Sequence, residues 1–80
     1  LDYLNAGHAA WAQNKIREAI DLYQKSIKAD KNNIKNFIEN FKHDIPDLIN
    51  AGIKENDIPL ILDQITYLAQ EIDFNKKIIN

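Results

Sequence analysis

The apolar residues of this chain recur at intervals of three and four positions, which is the period of an amphipathic α-helix. The pattern is clearest in residues 16–28, where charged and amide side chains fill most of the remaining positions. The apolar stripe of this segment consists of Ile16, Ala19, Ile20, Tyr23 and Ile27. We therefore predict an amphipathic helix here, with one face buried and the other in water.

An alanine-rich segment over residues 1–13 precedes it and also predicts a helix. One face carries Tyr3, Ala6, Gly7 and Ala10, and the opposite side carries Leu4, His8 and Trp11. Three of the four residues on the first face are very small, so we expect another helix to approach that face closely. Because only Asn14 and Lys15 link the two segments, we predict an antiparallel helical hairpin.

The helical period returns after a break at residues 30–33 and holds through Pro46. A proline inside a helix costs about 3 kcal/mol, so we predict a break or a sharp kink near His43 and Asp44. Asp44 is then expected to cap a new helical turn that holds the proline. Gly52 marks the end of this segment, since glycine commonly follows the last residue of a helix.

A last helix is predicted to begin at Asn56 or Asp57, with Pro59 tolerated in its first turn. Its apolar stripe consists of Ile58, Ile61, Leu62, Ile65, Leu68, Ala69 and Ile72. From Asp73 onward the pattern weakens, and we expect the tail either to fray or to continue the helix weakly.

The hairpin of residues 1–33 resembles the tetratricopeptide repeat, one of several families built from paired helices. That family places an aromatic residue, Leu-Gly and a second aromatic in its first helix, then Ala, an aromatic and Ala in its second, followed by Pro. The matching positions here are Tyr3, Ala6, Gly7, Ala10, Ala19, Tyr23, Ser26 and Lys31. Asn14 stands where the family has its turn glycine, and Phe37 lies one repeat length after Tyr3.

The resemblance implies an all-α fold of antiparallel helical hairpins, stacked as in a tetratricopeptide-like α-solenoid. Residues 1–33 are then one repeat, and residues 34–72 a degenerate second hairpin or a set of capping helices. Residues 73–80 are a tail that we expect to fray. Repeat arrays require atypical terminal units, and the chain most resembles the C-terminal end of such an array.

In the family, the first helices of successive repeats line a groove that binds extended peptides or partner surfaces. The resemblance therefore implies a non-catalytic scaffold whose partner is a protein or a peptide. The candidate groove residues are Leu4, His8, Trp11, Ile38 and Lys42. Leu4 and His8 stand where some family members carry the Lys and Asn that clamp a C-terminal carboxylate, which argues against binding of that kind.

Trp11 has two interpretations. A half-exposed tryptophan is a good anchor for a binding partner; alternatively, Trp11 packs against Ile38 or Phe41 of the next helix. The whole chain likewise has a second interpretation, as a structural cap or as an element that self-associates through exposed apolar helix faces.

The charges argue against a nucleic-acid partner. Ten basic and twelve acidic residues give a net charge of −2, without the basic stripe that nucleic-acid binding requires. Residues 48–61 partly resemble a helix-turn-helix with Gly52 in its turn. The would-be recognition helix, however, starts with Glu55 and Asp57 and has no Arg or Lys before Lys76, so phosphates would repel it.

No residue pattern indicates an enzyme, a metal or a cofactor. The chain lacks cysteine, so neither disulfides nor thiolate metal sites can form. His8 and His43 are isolated in sequence, and we expect each to be a surface or interface histidine. With Gly7 and Gly52 as the two glycines, no phosphate-binding loop is present, and Ser26 and Thr66 have no histidine nearby in sequence.

The longest apolar runs are only a few residues, so we predict no membrane-spanning segment, and no charged start followed by an apolar stretch indicates a signal peptide within these 80 residues. Because the chain starts with Leu1 and contains no methionine, we expect it to be part of a longer product. The composition identifies no compartment, with a slight preference for the cytoplasm.

Overall fold

The computed structural model describes the backbone of residues 2–79 and the side chains of residues 2–70. Across this range the chain is helical and forms no strand, which confirms the predicted all-α class. The helices are α1 (Tyr3–Ala12), α2 (Ile16–Ala29), α3 (Ile34–His43), α4 (Ile45–Asn50) and α5 (Asp57–Ile79). The backbone of α5 therefore remains helical through residues 73–79, the segment for which fraying or a weak helix was predicted.

Residues with positive φ follow three of the helices and turn the chain sharply. Asn14 follows α1 with φ 63°, Lys31 follows α2 with φ 54°, and Gly52 follows α4 with φ 99°. At the end of α4, the Gly52 N–H donates to the carbonyl of Ile49, and the N–H of the next residue donates to the carbonyl of Leu48. This is the hydrogen-bond pattern of a Schellman motif, and it confirms the predicted helix end.

The predicted break before Pro46 is also confirmed, because α3 ends at His43 and α4 begins at Ile45. Pro46 lies in the first turn of α4. N–H groups in the first turn have no acceptor within the helix, so the N–H that proline lacks costs no hydrogen bond there. Asp44 occupies the cap position as predicted, but its side chain makes no hydrogen bond to the backbone of α4. Its carboxylate contacts His8 of α1 instead.

The core is organised around the hairpin of α1 and α2, which make the most extensive contact in the molecule. Gly7 lies directly on the ring of Tyr23, so that a Cβ atom at this position would lie 2.5 Å from Tyr23 Cε1. The rings of Phe37 and Phe41, from α3, pack on the same tyrosine with centroids 5.9 and 5.4 Å away.

Helix α5 packs against α2 and α3. The residues that α5 buries in the core are Ile58, Ile61 and Ile65.

We predict that Gly7→Ala destabilises the protein by about 2 kcal/mol, since a Cβ atom 2.5 Å from Tyr23 Cε1 places the packing cost at the upper end of its range. Inserting a methyl group into a packed core typically costs about 1–3 kcal/mol, and the higher helix propensity of alanine offsets roughly 1 kcal/mol of that. Urea unfolding followed by the fluorescence of Trp11, the single tryptophan, measures the change.

The exposed Ala9 on the same helix provides the control, because Ala9→Gly reports helix propensity without the contact to Tyr23. A Gly7→Ala protein as stable as the wild type would contradict the close approach seen between α1 and Tyr23.

Candidate functional site

Three polar side chains from separate parts of the chain form a continuous hydrogen-bonded chain. His8, in the middle of α1, lies between Tyr23 of α2 and Asp44 at the junction of α3 and α4. Its Nδ1 atom is 2.7 Å from Tyr23 Oη, and its Nε2 atom is 3.0 Å from Asp44 Oδ2. These contacts tie α1 to α2 and to the α3–α4 junction at once.

The chemistry of the end groups sets the direction of each hydrogen bond. Tyr23 is fully buried, and burial, followed by the nearby negative charge of Asp44, raises the pKa of its phenol. The phenol therefore stays protonated and can donate to Nδ1 of a neutral His8. The Asp44 carboxylate only accepts, so Nε2 of His8 must carry the proton that faces it. For a neutral His8, these contacts correspond to the Nε2–H tautomer, in which Nδ1 accepts from Tyr23.

The order of groups in this chain (carboxylate, imidazole, hydroxyl) is that of a catalytic triad, but the hydroxyl is inaccessible. No substrate can reach the oxygen of Tyr23, because its side chain is fully buried and covered by Gly7 and Phe41. A raised pKa also makes the phenol a weaker source of phenolate, the nucleophilic form. The Asp44–His8–Tyr23 hydrogen bonds therefore position helices: they hold α1 against α2 and against the α3–α4 junction.

The sequence did not reveal this arrangement, since His8 was predicted to be isolated at a surface or an interface. Tyr23 and Asp44, which bond to His8, lie 15 and 36 positions away in the sequence. Neither separation belongs to a sequence pattern that would indicate a hydrogen bond to His8. The one signal in the sequence was that His8 lies on the apolar side of α1 with Leu4 and Trp11.

Beside Asp44 an open cleft of about 410 Å³ runs between the first half of α1, the end of α2 and the second half of α3. We call it the α1–α3 cleft. Its lining residues are Asp2, Leu4, Asn5, Ser26, Asp30, Asn40, His43 and Asp44. Leu4 is the one apolar side chain among them, so the cleft offers mainly hydrogen-bonding groups.

A second depression, of about 390 Å³, lies where the end of α1, the start of α2 and the start of α5 meet. We call it the Trp11 depression. It is lined by Trp11, Asn14, Ile16, Asp57, Leu60, Ile61 and Gln64. This surface is more apolar than the α1–α3 cleft, and the two share no lining residue.

The five predicted groove residues do not come together on one surface, and only Leu4 and Trp11 line either depression. Leu4 lines the α1–α3 cleft, and His8 is bonded to Asp44 in its wall. Ile38 is half-buried against the core, whereas Lys42 is exposed. Trp11 is not half-exposed but 8% exposed, and its ring packs 6.5 Å from that of Phe41. The packing alternative for Trp11 is therefore the one observed.

The described part of the chain contains no cluster of three or more histidine or acidic side chains arranged to hold a metal ion. None of its helices combines the length and the apolar character needed to cross a bilayer.

We predict non-additive effects when the Tyr23–His8 hydrogen bond is removed from either side. His8→Phe keeps an aromatic ring but leaves the buried Tyr23 hydroxyl without an acceptor, at a cost of about 1–3 kcal/mol. Adding Tyr23→Phe removes the unpaired hydroxyl, so the double variant should lose less stability than the sum of the two single variants. Urea unfolding of all four proteins gives the coupling energy, and strictly additive losses would show that the bond contributes nothing.

The raised pKa of Tyr23 predicts a loss of stability at alkaline pH. Above the ordinary tyrosine pKa of 10.0, the unfolded chain releases its phenolic proton while folded Tyr23 retains it. The free energy of unfolding should then fall with rising pH, by up to about 1.4 kcal/mol per pH unit from this residue.

This fall is measured as the difference in stability between the wild type and Tyr23→Phe from pH 9 upward (about one unit below the ordinary tyrosine pKa). Taking this difference removes the contributions to stability that Tyr23→Phe leaves unchanged. Tyr67→Phe, at an exposed position, serves as the matched control and should follow the wild type. Identical profiles for the wild type and Tyr23→Phe would refute the buried, protonated state.

Similarity to known proteins gives this chain no family assignment. The sequence matches no model of a known protein family, and neither curated proteins nor solved structures give a significant match. The resemblance to the tetratricopeptide repeat therefore rests on the spacing of its own residues within 1–33.

Proposed function

We propose that this chain is a non-catalytic protein-interaction scaffold of the tetratricopeptide type, which binds an extended segment of a partner protein. The observation that carries this proposal is the open α1–α3 cleft. It lies between the two helices to which the resemblance assigns the binding groove, and Leu4 and Asn5 of α1 face Asn40 and His43 of α3 across it.

The packing of α3 supports a repeat-like arrangement. Its two phenylalanines rest on Tyr23 of α2, and Phe41 also contacts His8 and Trp11 of α1. Helix α3 therefore lies in the angle between α1 and α2, which is where the first helix of a following repeat packs. The break at Asp44 and the greater length of α5 fit an atypical terminal unit that closes an array.

The side chains of the α1–α3 cleft suit the backbone of an extended peptide. Such a backbone presents a donor and an acceptor at nearly every residue. Asn5 and Asn40 carry both a donor and an acceptor in their amide groups, and Ser26 adds a hydroxyl. Leu4 offers one apolar contact. The cleft can therefore pair with main-chain groups while leaving most side chains of the partner unconstrained.

The hydroxyl groups of Ser26, in the cleft, and of Thr66, on α5, support a binding role and not a catalytic one. Ser26 and His43 both line the α1–α3 cleft, but no hydrogen bond joins them in the described structure. The Thr66 hydroxyl donates to carbonyls of its own helix. A nucleophile paired with a base, which acyl or phosphoryl transfer by such residues requires, is therefore not assembled.

The proposal is tested by selecting peptides from a random library on the 80-residue chain and mapping the bound position by NMR. We expect the largest amide shifts in α1 and α3. Asn40→Arg places a long charged side chain in the cleft and should weaken binding at least about tenfold. Asn50→Arg, at an exposed helical position outside the cleft, is the matched control and should bind as the wild type does.

Two results would overturn the proposal. One is that repeated selection returns no peptide whose binding depends on Asn40. The other is that the amide shifts of selected peptides fall outside the α1–α3 cleft.

A further inference from the structure

We propose that two copies of this chain associate through one face of the molecule, formed by Ile16, Leu60 and Tyr67 around the Trp11 depression. We call it the α5 face. This inference goes beyond the proposed function, because the α5 face uses none of the residues that line the α1–α3 cleft. A dimer formed in this way leaves the cleft open in both copies.

Exposed large apolar side chains are concentrated on this face. Leu60 is 68% exposed, Tyr67 65% and Ile16 42%. Leu60 and Tyr67 are seven positions apart on α5, which places them two turns apart on the same side of the helix. Ile16, at the start of α2, lines the same depression as Leu60. Ile16 and Leu60 therefore border one depression, and Tyr67 extends the same side of α5 by two turns. Exposed apolar side chains grouped in this way mark interaction sites.

The α5 face supplies both a projecting side chain and a hollow that can receive one. Leu60 projects at the rim of the Trp11 depression, whose lining includes the largely buried Trp11 and Ile61. A two-fold axis through the face lets Leu60 of each copy enter the depression of the other. An interface of this kind needs a single self-complementary patch, which is the simplest route to a symmetric dimer.

The charges around the face have the distribution that two-fold pairing requires. Lys15 and Arg17 flank Ile16 at the start of α2, whereas Asp57 and Asp63 flank Leu60 on α5, and all four side chains are exposed. The acidic Glu18 does not oppose this pattern, because it lies about half a turn around α2 from Ile16 and so points away from the α5 face. A two-fold axis that passes between α2 and α5 brings the basic residues at the start of α2 in one copy close to the two aspartates of α5 in the other.

Sedimentation equilibrium of the 80-residue chain, from about 1 µM to about 1 mM, tests the proposal, because interfaces of standard size associate within or below this range. We expect a monomer–dimer equilibrium. Leu60→Glu should raise the dimer dissociation constant at least about tenfold. Ile49→Glu, which alters an exposed isoleucine away from the α5 face, is the matched control and should leave the constant unchanged.

Charge reversal tests the predicted orientation. Arg17→Asp should weaken the dimer, and adding Asp63→Arg should restore it, because the pair then meets with its signs exchanged. Circular dichroism of each variant confirms that the fold is retained. A chain that remains monomeric at 1 mM (about the upper end of measurable weak association), or equal effects of Leu60→Glu and Ile49→Glu, would overturn the proposal.

Failure of this proposal is distinguishable from failure of the proposed function. Peptides selected on the α1–α3 cleft should bind Leu60→Glu as they bind the wild type. If those peptides instead bind at the α5 face, that face is a site for a foreign partner, and the self-association proposal is wrong.

Discussion

The packing around Tyr23 is the constraint on which the rest of the structure depends. The ring is fully buried at the contact of α1, α2 and α3, with Gly7 against one side and two phenylalanine rings against the other. Its hydroxyl is bonded to His8, which in turn holds Asp44. One side chain thus sets the separation of α1 and α2 and the position of α3, and through His8 it holds the α3–α4 junction against α1.

The features that could be predicted from the sequence are those set by neighbouring residues. The helical period follows from the spacing of apolar positions, and the helix ends follow from the left-handed conformation that Gly and Asn tolerate. Asn14, Gly52 and the break at Pro46 are all of this kind, and all are found where they were predicted. The small residues of α1 also indicated a close helix contact, which Gly7 makes with Tyr23.

The features that could not be predicted depend on the relative position of distant segments. The Asp44–His8–Tyr23 chain joins residues whose separations have no helical period, so the tertiary fold alone creates it. The sequence left Trp11 with two interpretations, and the packing of Phe41 from α3 against it decides in favour of burial. The single face that carries Leu60 and Ile16 likewise appears only when α5 lies beside the start of α2.

The engagement of Asp44 with His8 has a consequence for α4. A carboxylate at a helix cap normally satisfies the free N–H groups of the first turn, but this one is committed to a contact across the fold. Local preference and tertiary contact therefore compete at Asp44, and the tertiary contact prevails. Helix α4 is left with six residues and no side-chain cap. Such a segment has little stability of its own, so its amide hydrogens should exchange with solvent ahead of those in α2.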